Sequence, residues 1–417
     1  MSESGQVNKN SGHQSYRSLF IIALRYRDFR LVWLGSVTEH IGEFMQIAAV
    51  LWLVNEISHS PLMLTVVGSC RIIPLIFLPP VAGVVTDRVN RRNLLIVVLF
   101  CASLLSVCLA LLVITGVVVM WHIIVLSLLM GVLTSFNHPA RQAIVPNLIR
   151  REHLLNAVSL DTLSVQVARL VGMSVVGYLI AGIGVGPIFF LRALGCLLAI
   201  VWLLFARIPP TPAATRKQKP WRNLIEGFHY LRGNTLILGL VLLYLIPMLA
   251  QNTYTNFMPV FAADIMQVGA IGYGYFQAAP GLGSLLCLIA LTVLTYYKGK
   301  INLLLGASAI VGISLIGLSI TRSAFLTLPL LVVIGGMITV FLSINTTLIQ
   351  NSIPDEMRGR VMSWREVARG VGPTASILFG AIAQYTGVPF SLGLLGGIVL
   401  LVSFALIMLS PKFRSLG

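Results

Sequence analysis

Ser36, Glu39, His40, Glu43 and Gln46 fall at i, i+3, i+4, i+7 and i+10 within a run that is otherwise apolar from Leu31 to Val54. On a helix that spacing draws one polar stripe. Carboxylates, an imidazole and an amide on one face can hold a buried ion pair, bind a cation or pass a proton. Arg71, in the middle of the next apolar run, is the obvious partner for one acid. One arginine does not neutralise two carboxylates, and desolvation and like charge both work against the second. Glu43 is therefore either a fixed structural pair with Arg71 or a coupling residue. Glu39, the less accounted-for acid, is the candidate proton carrier, or else a direct ligand for a cationic substrate. His40 either tunes it or is a hydrogen-bonded helix residue.

A second group lies further along. Arg365, Glu366 and Arg369 follow Trp364, with Asp161, Gln166 and Arg169 as partial counterparts 200 residues earlier. Snorkelling or pairing between helices can satisfy such groups near a membrane surface, and Glu366 and Arg369 can pair along one face. These are expected to gate or to brace. Gln46, Gln251, Asn252, Tyr254 and Asn345 are neutral hydrogen-bonding candidates for the wall of a substrate cavity. Each serves equally well as a bond between helices, worth under ~1 kcal/mol on average.

The elements that must position these residues are membrane spans. Of 417 residues, 57% are apolar and 10% charged, against about 25% charged in soluble domains. The mean hydropathy is +0.91. Twelve runs are long enough for a helix to cross the ~30 Å hydrocarbon layer. The first six are 31–54, 62–85, 94–115, 117–137, 157–181 and 186–206, and the second six are 236–262, 271–295, 301–320, 324–350, 361–385 and 388–410. They lack the period-2 alternation of strands. The fold class is thus an all-α polytopic membrane protein.

Charge sets the sidedness. Of 29 Lys and Arg, 23 fall in the termini and the even-numbered connections, and only Arg322 falls in an odd-numbered one. Basic connections stay cytoplasmic, so both termini are expected inside. The remaining five (Arg71, Arg169, Arg192, Arg365 and Arg369) fall within spans, and the sequence identifies no partner for Arg192. The formal charge of +16 forms no continuous patch or arm, which argues against nucleic acid. The five cysteines lie in apolar runs without CxxC spacing, so neither a disulfide framework nor a metal site is expected. Residues 1–27 lack the apolar core and cleavage site of a signal peptide. GIGVG at 182–186 and GYGYF at 272–276 are not followed by GK[ST], so no phosphate cradle, no enzyme chemistry and no cofactor is expected; energy must come from a gradient.

The domain reading is a cytoplasmic segment 1–30, a six-helix half 31–206, a linker 207–235 with a basic amphipathic helix at 221–232, a second half 236–410 and a tail 411–417. VARLVG at 167–172 recurs as VARGVG at 367–372, in the fifth span of each half, which suggests duplication.

GVVTDRVNRR, from Gly83 to Arg92, ends span 2. Gly83 would allow close helix approach, Asp87 can accept from a helix N-terminus, and Arg88, Arg91 and Arg92 hold the loop inside. The spacing G-x-x-x-D-R-x-x-R-R resembles the loop 2–3 signature of the major facilitator superfamily. CRIIPLIFLPPVAGVVTDR, ARQAIVPNLIRREHLLNAVSL at 140–160 and NSIPDEMRGRVMS at 351–363 resemble its bacterial drug:proton antiporter-3 branch, the transmembrane secretion effectors, which includes macrolide and siderophore exporters. The resemblance runs from about Tyr26 to Pro411. It implies two pseudo-symmetric six-helix bundles, a cavity lined by spans 1, 4, 7 and 10, alternating access by rocking of the halves, and Asp87 near Arg360–Ser363. The antiporter pattern of span 5 departs here, with Met173 where proline is expected; a Gly-Pro pair stands instead at Gly372-Pro373.

The expectation is a monomeric inner-membrane secondary transporter exporting amphipathic organic compounds against protons. The alternatives are an importer or flippase of lysolipid-like or metabolite substrates, and a transport-inactive membrane sensor or scaffold.

Overall fold

The computed structural model describes residues 22–208, 220–293 and 299–409. The outer part of the expected N-terminal segment, most of the proline-rich linker and the tail lie outside the described residues. Among the described residues, ten helices are long and apolar enough to cross a membrane. They are span 1 (Arg27–Ser58), span 3 (Arg91–Ile114), span 4 (Met120–Leu148), span 5 (Leu154–Ile183) and span 6 (Gly186–Phe205) in the first half. In the second half they are span 7 (Thr235–Leu243 continued by Leu245–Val260), span 8 (Gly269–Val293), span 9 (Lys300–Ile320), span 10 (Ala324–Asn351) and span 12 (Val388–Leu409).

The other two expected spans depart from that standard for visible reasons. Span 2 is a broken run, Pro61–Cys70, Pro74–Phe77 and Pro79–Arg88, rather than the single helix 62–85. Prolines at 74, 79 and 80 lack the amide donors that a continuous helix needs. Span 11 (Asp355–Thr386) is one long helix whose first half carries Arg360, Arg365 and Arg369.

Span 4 also corrects an expected boundary. The apolar run predicts an end at 137, before a loop, but the helix runs through Pro139 and Pro146 to Leu148. Membrane helices tolerate prolines where neighbouring helices and Ser/Thr side chains re-satisfy the backbone. The consequence is large, because Arg141 moves from a cytoplasmic loop into a packed helix, where it is buried.

Spans 1, 3, 5 and 6 pack together in the first half, and spans 8, 9, 10 and 12 in the second. The halves meet along spans 5 and 8 and along spans 2 and 11, the two pairings that a six-span repeat makes equivalent. Apolar side chains such as Phe100, Leu194 and Leu401 are exposed on the outside, where lipid is their solvent. The helix expected over 221–232 is found as Pro220–Gly233. It docks on span 11: Gly227 lies against the Arg360 carbonyl, Glu226 pairs with Arg360 at 3.0 Å, and the Phe228 and Trp364 rings sit 5.3 Å apart.

Candidate functional site

The polar stripe of span 1 faces protein. Span 6 approaches it closely because both surfaces are small. A Cβ added at Gly42 would lie 3.1 Å from Arg192 Cδ, and one at Gly195 would lie 3.1 Å from the Thr38 carbonyl. That proximity places the Arg192 guanidinium on Glu39. Nη2 donates to Oε1 at 3.0 Å and Nη1 to the Glu39 carbonyl at 2.6 Å. From span 4, Arg141 Nη2 donates to the other carboxylate oxygen, Oε2, at 2.5 Å. Arg141 Nη1 lies 3.1 Å from His40 Nε2, an arrangement in which the imidazole accepts. The ring proton then sits on Nδ1, which has no hydrogen-bond partner among the described residues.

One helical turn further along, Arg71 donates to Glu43. Arg71 stands where span 2 breaks, at the turn following Cys70, and its carbonyl fits against Gly131 of span 4. The two pairs differ in setting. The Glu39 side chain is 3% exposed and shares two guanidiniums, whereas the Glu43 and Arg71 side chains are 14% and 21% exposed and pair with each other alone among the described residues. Three arginines therefore meet two carboxylates. The premise that Glu39 lacks a counter-charge is corrected: Arg141 and Arg192 compensate it twice over, and releasing it needs both contacts broken. Glu39, His40 and Glu43 do offer donor atoms within 4.8 Å of one another. A metal ion there would have to displace guanidiniums from both carboxylates, so the set does not fit a metal.

Beside this cluster a cavity of about 620 Å³ lies between the halves, within the size range of organic-ligand sites. Spans 1, 2, 3, 4 and 5 line it from one side and spans 7 and 11 from the other. Span 10 contributes no lining residue, in contrast to the expected set of spans 1, 4, 7 and 10. Among the expected wall residues, Gln46, Gln251 and Asn252 line the cavity, as do Arg71, Arg169 and Arg369. Tyr254 and Asn345 do not. Tyr254 is 1% exposed in the core, and Asn345 donates across to the Leu240 carbonyl at 2.9 Å, bonding span 10 to span 7.

A scan of known families decides the identity: a single family model, described as transmembrane secretion effector, matches residues 21–416. The chain belongs to that family. This secretion effector is 22% identical to the staphyloferrin A transporter of Staphylococcus aureus over 92% of its own length and 95% of the relative's. It is 26% identical to the enterobactin exporter EntS of Escherichia coli over 90% and 91% of the two chains, and 21% identical to macrolide efflux protein A of Streptococcus pyogenes over 84% and 89%. Among solved structures, it is similar to the nucleoside transporter NupG (TM-score 0.72, 13% identity, 92% and 98% coverage) and to an inward-facing bacterial homologue of the human lysosomal transporter Spinster (TM-score 0.69, 15% identity, 97% and 98%). These show the major facilitator fold. The protein is a multi-pass membrane transporter of that superfamily.

The secretion effector's loop signature is partly structural. Arg91 donates to the Ala143 carbonyl at 2.9 Å, and Arg92 donates to the carbonyls of Leu203 and Leu204 at 3.0 and 2.7 Å, tying the start of span 3 to spans 4 and 6. Arg88 is exposed. Among the described residues nothing lies within 4 Å of a Cβ placed at Gly83, so close helix approach is not what glycine provides there. The side chains of Asp87 and Glu366 lie outside the described residues. Asp161 forms no ion pair among the described residues, and Arg365 stacks on Tyr244 at 4.7 Å. Arg141 is the functional residue the sequence reading missed. The signal was present: Thr134, His138 and Arg141 repeat at i, i+4 and i+7, as polar a stripe as that of span 1.

Proposed function

We propose that this protein exports amphipathic organic compounds across the bacterial inner membrane in exchange for protons, by alternating access, with both termini cytoplasmic. The observation that carries this reading is the Glu43–Arg71 pair, singly compensated and partly exposed beside a cavity between two pseudo-equivalent halves. A proton reaching Glu43 dissolves the pair and frees Arg71; restoring the pair expels the proton. Glu43 is thus the coupling carboxylate, and Glu39 with Arg141 and Arg192 is the fixed frame around it. Export is supported by the siderophore exporter and macrolide efflux protein among the relatives. Cytoplasmic termini are supported by the basic even-numbered connections.

Access from one side is closed by the interface away from the termini. Span 5 and span 8 touch backbone to backbone, a Cβ at Gly177 lying 2.5 Å from the Ala270 carbonyl and 3.0 Å from Gly274 Cα. Span 11 meets span 2 where Ser60 donates to Gln384 at 2.6 Å and where a Cβ at Gly380 would strike Thr65. Gly177→Val is expected to prop this interface open. An overpacking cost of about 1–3 kcal/mol moves a two-state balance by roughly 5–150-fold. The check is the rate at which an impermeant maleimide, added outside, labels a cysteine placed at Asn252 in a background without native cysteines; it should rise.

The test of the function is proton movement in proteoliposomes with an internal pH dye. Release of accumulated protons on adding a transported compound supports exchange. Co-entry of protons would show uptake instead, and silence towards compounds that bind would show a scaffold.

A further inference from the structure

The repeated V-A-R-x-V-G motif has a physical logic that ion pairing within the frame does not use. In each copy the final glycine seats its helix on the first span of its own half. A Cβ at Gly172 would lie 2.8 Å from the Ile41 carbonyl of span 1, and one at Gly372 would lie 2.7 Å from Met248 Cβ and 3.1 Å from the Leu249 amide of span 7. Three residues earlier, one turn back, each copy carries its arginine, and both Arg169 and Arg369 line the one central cavity from opposite halves. Duplication has thus delivered two guanidiniums to a shared space.

The charged side chains that line that space among the described residues are basic. Arg71, Arg169 and Arg369 line the cavity together with His138, and no carboxylate does among the described residues. Arg71 is answered by Glu43. Among the described residues, the groups that hold Arg169 are neutral. The Gln251 amide, turned so that its oxygen faces the guanidinium, accepts at 3.2 and 3.3 Å, and the Phe44 ring centroid lies 6.0 Å from Cζ. Its Nε is buried without a hydrogen-bond partner. No ion pair reaches Arg169 among the described residues. A half-buried guanidinium held by an amide and a ring is a fork-shaped donor set that suits a planar anionic acceptor. Phe44, Ile47 and Val50 supply apolar wall beside it.

We infer that the cavity takes an organic anion, an amphipathic molecule whose carboxylate or similar oxyanion docks on Arg169 beside Gln251, with Arg369 facing the same space from the other half. This rests on the reading of the cavity as the transport site and names its substrate class. It runs against a cationic substrate held directly by Glu39, which is enclosed by its own arginines.

The experiment reads the cavity's charge without needing the substrate. In a background lacking the native cysteines, Asn252→Cys is labelled with two reagents of one reactive group and opposite charge, sulfonatoethyl and trimethylammonioethyl methanethiosulfonate. The ratio of their rates is taken relative to a cysteine in solution. Field focusing in clefts of one sign changes local ion concentration by about 10–10³, so a ratio at least about tenfold in favour of the anionic reagent is expected. Arg169→Met should bring it towards unity, and Arg169→Lys should retain it. A ratio at or below the solution value, or one that Arg169→Met leaves unchanged, overturns the inference. If Arg169→Met fails to fold, the parent ratio alone still decides the sign. The measurement uses no gradient, so it can fail while proton-coupled export stands, and export can fail while the anion preference stands.

Discussion

Glu39→Gln is expected to destabilise the fold more than any other single change at this site. Glutamine keeps the shape but leaves Arg141 and Arg192 without their shared carboxylate, and both are buried, at 7% and 5% exposure. Breaking a buried ion pair by removing one partner costs about 3–5 kcal/mol, and here two cations are stranded by one substitution. The cost should show as a clear fall in the thermal midpoint of the detergent-solubilised protein. Adding Arg192→Met to Glu39→Gln removes one stranded charge and should recover part of the loss, because apolar replacement of a whole buried pair is often neutral. A Glu39→Gln protein that melts normally and has lost only its pH response would return the coupling role to Glu39.

Glu43→Gln should separate binding from energy coupling. With one proton exchanged per substrate, a gradient of one pH unit supports about a tenfold accumulation, equivalent to ~1.4 kcal/mol. The variant is expected to lose that accumulation entirely while still equilibrating labelled substrate across the membrane. The stability cost should be smaller than at Glu39, since one partly exposed arginine is left alone and the cavity can solvate it. Retained uphill transport in Glu43→Gln would remove Glu43 from the mechanism. Recovery of activity in Glu43→Gln with Arg71→Met would make the pair a brace rather than a carrier.

The spans were legible wherever apolar runs were long and continuous, which located the helices that carry Glu39, Glu43 and Arg169, and helical spacing put Glu39 and Glu43 on one stripe. What the sequence concealed lies at prolines. Pro74, Pro79 and Pro80 break span 2, whereas Pro139 and Pro146 leave span 4 intact. Local rules weigh these prolines alike, and only packing by neighbouring helices separates the outcomes. Mistaking Pro139 for a loop hid Arg141, which in turn left Glu39 looking unpaired. The partner of Arg192 was hidden for another reason: nothing local marks which of five other spans Gly195 and Gly42 would bring together. Tyr254 is polar in a cavity-lining helix but on a face turned into the bundle, and Asn345 belongs to a helix that does not reach the cavity; helix phase and helix position relative to a cavity are tertiary properties.

The frame around Glu39 also imposes a timetable on synthesis. Its two arginines lie 102 and 153 residues later in the chain. At about 5–20 residues per second, the first span waits roughly 5–20 seconds for Arg141 of span 4 and roughly 8–30 seconds for Arg192 of span 6, so its carboxylate is fully compensated only when the sixth span is made. It cannot dissolve in lipid as an isolated helix during that interval without bearing ~2.5–3.5 kcal/mol for each central charge. Ribosome-arrested chains ending before Arg192 should therefore remain beside the insertion machinery or be extracted by alkali, and chains extended past span 6 should not.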